Sequence, residues 1–164
     1  MPRYVIDTNV PVVANGASAN VNIDCRIAAV ELLQSAIEKG VIFLDSAGDI
    51  QEEYRRYLDP KGQPGVGDRF YLEILNSHPG RIARVDVPKG TDGQYVDLPK
   101  PIIDSGFDPS DRKFAAVAAK AKARVFNAVD TDWIEQRAVI EENGIPITFL
   151  CGIVPENWND TTDS

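Results

Sequence analysis

The chain holds one histidine, His78, and two cysteines, Cys25 and Cys151, far apart and without the spacing of a Cys/His site. Structural zinc takes four such ligands, so a zinc fold is excluded. No apolar run approaches the ~18 residues of a membrane-spanning helix. Residues 1–9 lead into a strand-like run rather than a charged-then-apolar signal segment. These absences set the expectation of a cytoplasmic protein with reduced thiols. Positive charge is also in deficit. The 17 basic residues face 25 acidic ones, for a net charge of −8, and that field repels polyanions and excludes generic coating of nucleic acid. An acidic protein still acts on nucleic acid where metal ions neutralise a local acidic cluster, or where a basic partner supplies the phosphate contacts.

What is present suits one ordinary globular domain. With 43% hydrophobic and 26% charged residues in 164, the chain is neither disordered nor membrane-like in composition, and it is long enough for one core. The domain is expected to span residues 1–154, with 155–164 a polar, loose tail.

Short apolar runs at residues 3–6, 41–44, 82–87, 125–129 and 145–150 read as strands. Between 23 and 37 the residues Ile23, Ile27, Val30, Leu32, Leu33 and Ile37 predict an amphipathic helix stopped by Gly40. Asp45 or Ser46 is placed to cap a second helix that sends Ile50, Tyr54, Tyr57 and Leu58 to the core. Residues 59–67 form a loop and 68–75 a short helix, and a long proline-rich loop over 88–108 is expected to border the functional site. An alanine-rich helix over 114–121 and a helix over 133–142 complete the set. Strands alternating with helices imply right-handed crossovers and an α/β fold, a three-layer α/β/α sandwich around a mostly parallel sheet.

In such sheets ligands bind beyond the carboxyl ends of the strands. Asp7, Asp130 and Asp132 fall at those ends, while Glu53 and Asp111 sit on helices able to face the same crevice. Carboxylates that converge there suit Mg2+ or Mn2+, which take oxygen ligands, retain waters and need no histidine. Such an ion polarises a phosphoryl oxygen, lowers the pKa of a bound water and stabilises a leaving oxygen. Taken singly, each acid has a plainer reading. Asp7 suits a turn, Glu53 an exposed helix pair with Arg56, Asp111 the positive end of its helix, Asp108 an N-cap, and Asp130 and Asp132 caps of the last helix.

The blocks 5–10 (Val-Ile-Asp-Thr-Asn-Val), Ser46 with 53–58, 108–118 and 125–133 resemble, in order, the four blocks of PIN-domain nucleases. The resemblance covers about residues 3–150. It implies metal-binding and catalytic roles for Asp7, Glu53, Asp111 and Asp130, a metal role for Asp132, and a supporting role for Asn9 beside Asp7. It also implies cleavage of RNA, and a basic antitoxin-like protein partner of the kind that holds many relatives as toxins. Ala128 departs from the pattern, because the family often has a threonine there that steadies the site. Either Thr131 or Asn127 then compensates, or Asp132 is the principal ligand. A homodimer is left open, and no membrane partner is expected.

Two other readings carry weight. Haloacid-dehalogenase-like phosphatases also begin with a strand-ending aspartate used as nucleophile, but their general acid two residues later is here Asn9, which cannot donate and recover a proton. A non-catalytic module holding metal or a partner is the other.

Overall fold

The computed structural model describes residues 1–18, 20–76 and 80–159. His78 and residues 160–164 of the expected tail lie outside the described residues. Five strands, β1 (Arg3–Ile6), β2 (Val41–Asp45), β3 (Ile82–Val85), β4 (Arg124–Asn127) and β5 (Ile147–Phe149), form one sheet in the order 3-2-1-4-5, with every neighbouring pair parallel. The central runs are rich in Val, Ile and Phe because both sheet faces are covered, and Val5, Ile6, Leu44 and Val125 are wholly buried.

Eight helices accompany the sheet among the described residues: α1 (Asn9–Ala14), α2 (Ile23–Lys39), α3 (Asp49–Tyr57), α4 (Val66–Asn76), α5 (Lys100–Asp104), α6 (Arg112–Ala121), α7 (Thr131–Glu135) and α8 (Arg137–Glu142). The arrangement is α/β and compatible with a three-layer sandwich. The chain leaves β1 towards β2 and β3, then returns across the sheet to β4. The carboxyl ends of β1 and β4 therefore flank the point where strand order reverses, the usual ligand crevice of such folds.

Sequence periodicity located α2 correctly but assigned part of its buried face wrongly. Cys25, Ala29, Leu33 and Ala36 face the core, whereas Ile23 is 61% exposed and Ile27 is also exposed. Small residues let α2 approach its neighbours closely, and the larger isoleucines fall outside that narrow stripe. Similarly Ile50, Tyr54 and Leu58 are buried while Tyr57, expected in the core, is 62% exposed. Asp45, not Ser46, serves α3, accepting hydrogen bonds from the backbone N–H of Asp49 and of Ile50, both at 2.8 Å. The single helix expected over 133–142 is two, α7 and α8, meeting at Gln136. At Gly67 an added Cβ would lie 2.1 Å from the Pro11 carbonyl oxygen, so only glycine lets α4 pack this closely on α1.

Two expectations are corrected at one corner of the molecule. The thiols are not free: Cys25 of α2 and Cys151, just after β5, form a disulfide with Cα atoms 4.9 Å apart. Separated by 126 residues, the pair has no sequence signature, and only the packing of α2 beside the end of β5 brings it together. The chemical ground for expecting a reducing compartment falls with it. Nor is the chain loose from residue 155. A 3-10 turn over Pro155–Trp158 buries Trp158, whose carbonyl accepts from the Asn22 backbone N–H at 2.7 Å and whose indole N–H donates to the Gly152 carbonyl at 3.1 Å. No described helix is long and apolar enough to cross a membrane.

Candidate metal centre

Asp7 follows the last residue of β1 and is only 4% exposed. Its Oδ2 accepts the indole N–H of Trp133 at 2.8 Å. Its Oδ1 accepts from Asn9 twice, from the backbone N–H at 3.0 Å and from Nδ2 at 2.6 Å. The same Nδ2 donates to Asn127 Oδ1 at 2.9 Å, and Asn9 Oδ1 accepts from the backbone N–H groups of Ala128 and Val129 at 2.8 and 3.0 Å. Asn9 therefore ties the end of β1 to the end of β4, a task that needs donor and acceptor on one side chain and that an aspartate could not perform.

Asn127 extends the clamp. Its Nδ2 donates to the Asp130 carbonyl at 3.1 Å, and its Oδ1 accepts the Asp130 N–H at 3.2 Å. Of the residues able to compensate for Ala128, Asn127 makes these contacts. Asp130 Oδ1 in turn accepts the Asp132 N–H at 2.9 Å, so Asp130 both caps α7 and faces Asp7.

Asp111 ends the 3-10 turn Pro109–Asp111 that leads into α6 and is 7% exposed. Carboxylate oxygens of Asp7, Asp111 and Asp130 lie within 4.8 Å of one another, and so do those of Asp108, Asp111 and Asp132. Asp111 belongs to both groups, and its Oδ2 is buried and receives no hydrogen bond. Comparison with protein-family models, with curated proteins and with solved structures finds no match for this chain. The chemistry of the centre is therefore read from its own residues.

Two buried carboxylates and the half-buried Asp130, this close together, cannot all be ionised without a counter-charge. Burial, reinforced by the charges of Asp130 and Glu53, pushes Asp7 up to about 6 against the opposing hydrogen bonds from Asn9 and Trp133. Burial followed by the charges of Asp7, Asp130 and Asp108 pushes Asp111 up to about 9. Burial also raises Asp130. A divalent cation removes the conflict, and the all-oxygen donor set with an unmatched buried oxygen on Asp111 fits a hard cation.

Glu53 stands at the rim and belongs to neither group. Its Oε2 accepts from the Thr8 hydroxyl, and its Oε1 pairs with the Lys113 ammonium at 2.9 Å. Arg55 is engaged by Glu52, as a surface pair. Arg112 ties down the long loop, donating to the Phe107 carbonyl at 2.9 Å and to Gln94 Oε1 at 2.8 Å. Lys89 and Tyr95 of that loop join Glu53, Arg56 and Lys113, with the acidic Asp49 and Glu52, around a cleft of about 240 Å³ on the Glu53 side of the centre.

Sequence reasoning missed two participants. Asp108 was read only as a cap, and it does accept from the Ser110 N–H at 2.9 Å. Yet a 3-10 turn eclipses positions i and i+3, which also brings Asp108 beside Asp111. A tryptophan such as Trp133 is expected from its bulk to pack. It does pack, its ring centroid 4.8 Å from that of Phe107, but a buried indole also needs an acceptor for its N–H. Replacing Trp133 by Phe keeps most of the ring contact and removes the donor from a buried carboxylate. Denaturant unfolding at pH 7 is expected to show a loss of roughly 1–3 kcal/mol, and wild-type stability would deny the indole this role.

Proposed function

We propose that the chain is a PIN-like ribonuclease, hydrolysing RNA phosphodiester bonds with Mg2+ or Mn2+. The observation that carries this reading is the buried, unpartnered Oδ2 of Asp111 within reach of Asp7 and Asp130, set at the reversal point of a 3-2-1-4-5 parallel sheet. Asp7, Asp111 and Asp130 would hold the ion, with Asp108 and Asp132 flanking it. When bound, the ion polarises the phosphoryl oxygen and assists attack by water.

The chain's own residues do the remaining work. Asn9 and Trp133 fix both oxygens of Asp7, so the carboxylate is oriented before any ligand arrives. Without a cation Asp111 holds a proton at neutral pH, and binding a cation would displace it, which makes metal affinity rise with pH. Arg56 and Lys89 line the adjoining cleft beside the acidic Asp49, Glu52 and Glu53, with Lys113 paired to Glu53, so the phosphate contacts that a −8 chain lacks fall to the metal ion and to a basic partner. The overall acidity suits a basic antitoxin-like partner. The hydrogen bonds already accepted by both oxygens of Asp7 make it a poor covalent nucleophile, which supports attack by water over phosphatase chemistry.

The test uses labelled single-stranded RNA, single-stranded DNA and a generic phosphomonoester, with manganese or a chelator. Expected is cleavage of RNA in manganese, lost with chelator and in Asp7→Asn and Asp130→Asn. RNA cleavage that survives both substitutions defeats the mechanism, and preference for the phosphomonoester favours a phosphatase.

A further inference from the structure

We propose that Lys113 is an internal counter-ion that keeps Glu53 out of the metal centre, so that Asp7, Asp111 and Asp130 hold the divalent cation without a fourth carboxylate. The inference rests on the metal centre proposed above and not on the identity of its substrate. Glu53 reaches the rim of the centre from α3 and Lys113 from the first turn of α6, 60 residues apart in the chain. Glu53 Oε1 takes the Lys113 ammonium at 2.9 Å, and its Oε2 accepts from the hydroxyl of Thr8, the residue after Asp7. Both oxygens are thus engaged, whereas Asp111 Oδ2 is buried and receives no hydrogen bond.

The pair differs from the solvated ion pairs of the surface. The side chains of Lys113 and Glu53 are only 12% and 18% exposed, whereas those of Arg55 and Glu52 stand in solvent. At the surface, water and salt compensate a charge that loses its partner. Where both members are largely desolvated, withdrawing one leaves the other uncompensated. Lys113 is also tethered close to its own place in the chain. Its Nζ donates to the Ser110 carbonyl and lies 5.1 Å from the centre of the wholly buried Phe114 ring. Both neighbours lie within three residues of Lys113, so the start of α6 fixes the ammonium where it meets Glu53. Glu53 therefore keeps Lys113 as its partner when a cation enters beside Asp7.

Neutralising Glu53 also matters for an anionic substrate. A fourth unpaired carboxylate beside the cation would add a negative charge facing the phosphate, in a chain whose net charge is already −8. Fewer anionic ligands also leave the cation more coordination positions for water and phosphate oxygens. Lys113 is thus a positioning residue, acting through Glu53 on how tightly the centre holds its cation.

Calorimetric titration of the full chain with manganese at one pH tests it. Lys113→Gln frees Glu53 to join the centre and is expected to tighten manganese binding about fivefold or more, because affinity follows the number of anionic ligands. Glu53→Gln should change affinity by no more than about threefold, the scale of a charge acting from the rim. The Lys113→Gln/Glu53→Gln double variant should return to the wild-type value. A gain in affinity cannot come from misfolding, so Lys113→Gln and the double variant decide the matter even where Glu53→Gln is unstable. A loss of about tenfold or more in a folded Glu53→Gln chain, the scale for groups that bear on a bound metal, overturns the proposal. So does unchanged affinity in Lys113→Gln, or an equal gain in the double variant, which would make Lys113 a nearby charge that does not act through Glu53. Wild-type protein that binds no manganese overturns it together with the metal centre. The expected set of affinities in a protein that cuts no RNA would uphold it and refute the nuclease reading alone.

Discussion

Raising the pH of the chelator-treated protein from about 5 to 9 is expected to lower its melting temperature by roughly 10 °C. The sign follows from the two acids whose pKa values folding raises. Asp7 titrates near 6 and Asp111 near 9 in the folded chain, against 3.8 for a free aspartate. Below about pH 4 both are protonated in folded and unfolded chains alike and neither affects stability. As pH rises, the unfolded chain releases these protons first, so it binds fewer than the folded one and stability falls. Each retained proton contributes a slope of at most about 1.4 kcal/mol per pH unit. The decline runs through pH 6 for Asp7 and continues to pH 9 for Asp111. Manganese should flatten the profile, because a cation takes the place of the protons and stabilises the state that binds it. Thermal melts across this range, with and without manganese, check the prediction. A metal-free profile that rises from pH 5 to 9 would mean the carboxylates do not repel one another as their spacing requires.

The second large effect is expected from Asp111→Asn, which should move two properties in opposite directions. The amide nearly matches the carboxylic acid in shape but carries no charge for a cation, so manganese-dependent RNA cleavage should fall about 10³-fold, the equivalent of several kcal/mol of lost transition-state stabilisation. Without metal the same variant should melt at a higher temperature than wild type at pH 8, where Asp111 is under pressure to ionise, and at a similar temperature at pH 5. A variant that is less stable at both pH values would identify Asp111 as a structural residue whose carboxylate is needed for packing, and would remove the main support for the metal centre.

Much of the fold was legible because its signals are local. The run ending at Asp7, the stop at Gly40 and the alanine-rich approach to β4 each depend on near neighbours in the chain, and the corresponding elements lie where periodicity put them. Errors arose where burial depends on what lies opposite. Ile23, Ile27 and Tyr57 are as apolar as the core requires, but the faces that carry them are exposed. Among the acids, local sequence could not separate Glu53 from Asp111, since both are helix carboxylates near the crevice. The difference is that Thr8 and Lys113 claim Glu53, while Asp111 is left with a buried oxygen that receives no hydrogen bond.

By itself, then, the chain's pattern determined an α/β architecture with aspartates at strand ends, because hydrophobic period and turn chemistry act within a few residues. Tertiary structure alone decided which carboxylates crowd together and that Cys25 meets Cys151. Those outcomes rest on side-chain direction and on contacts between segments more than 100 residues apart, such as Asn9 with Asn127, and no local window of sequence contains both partners.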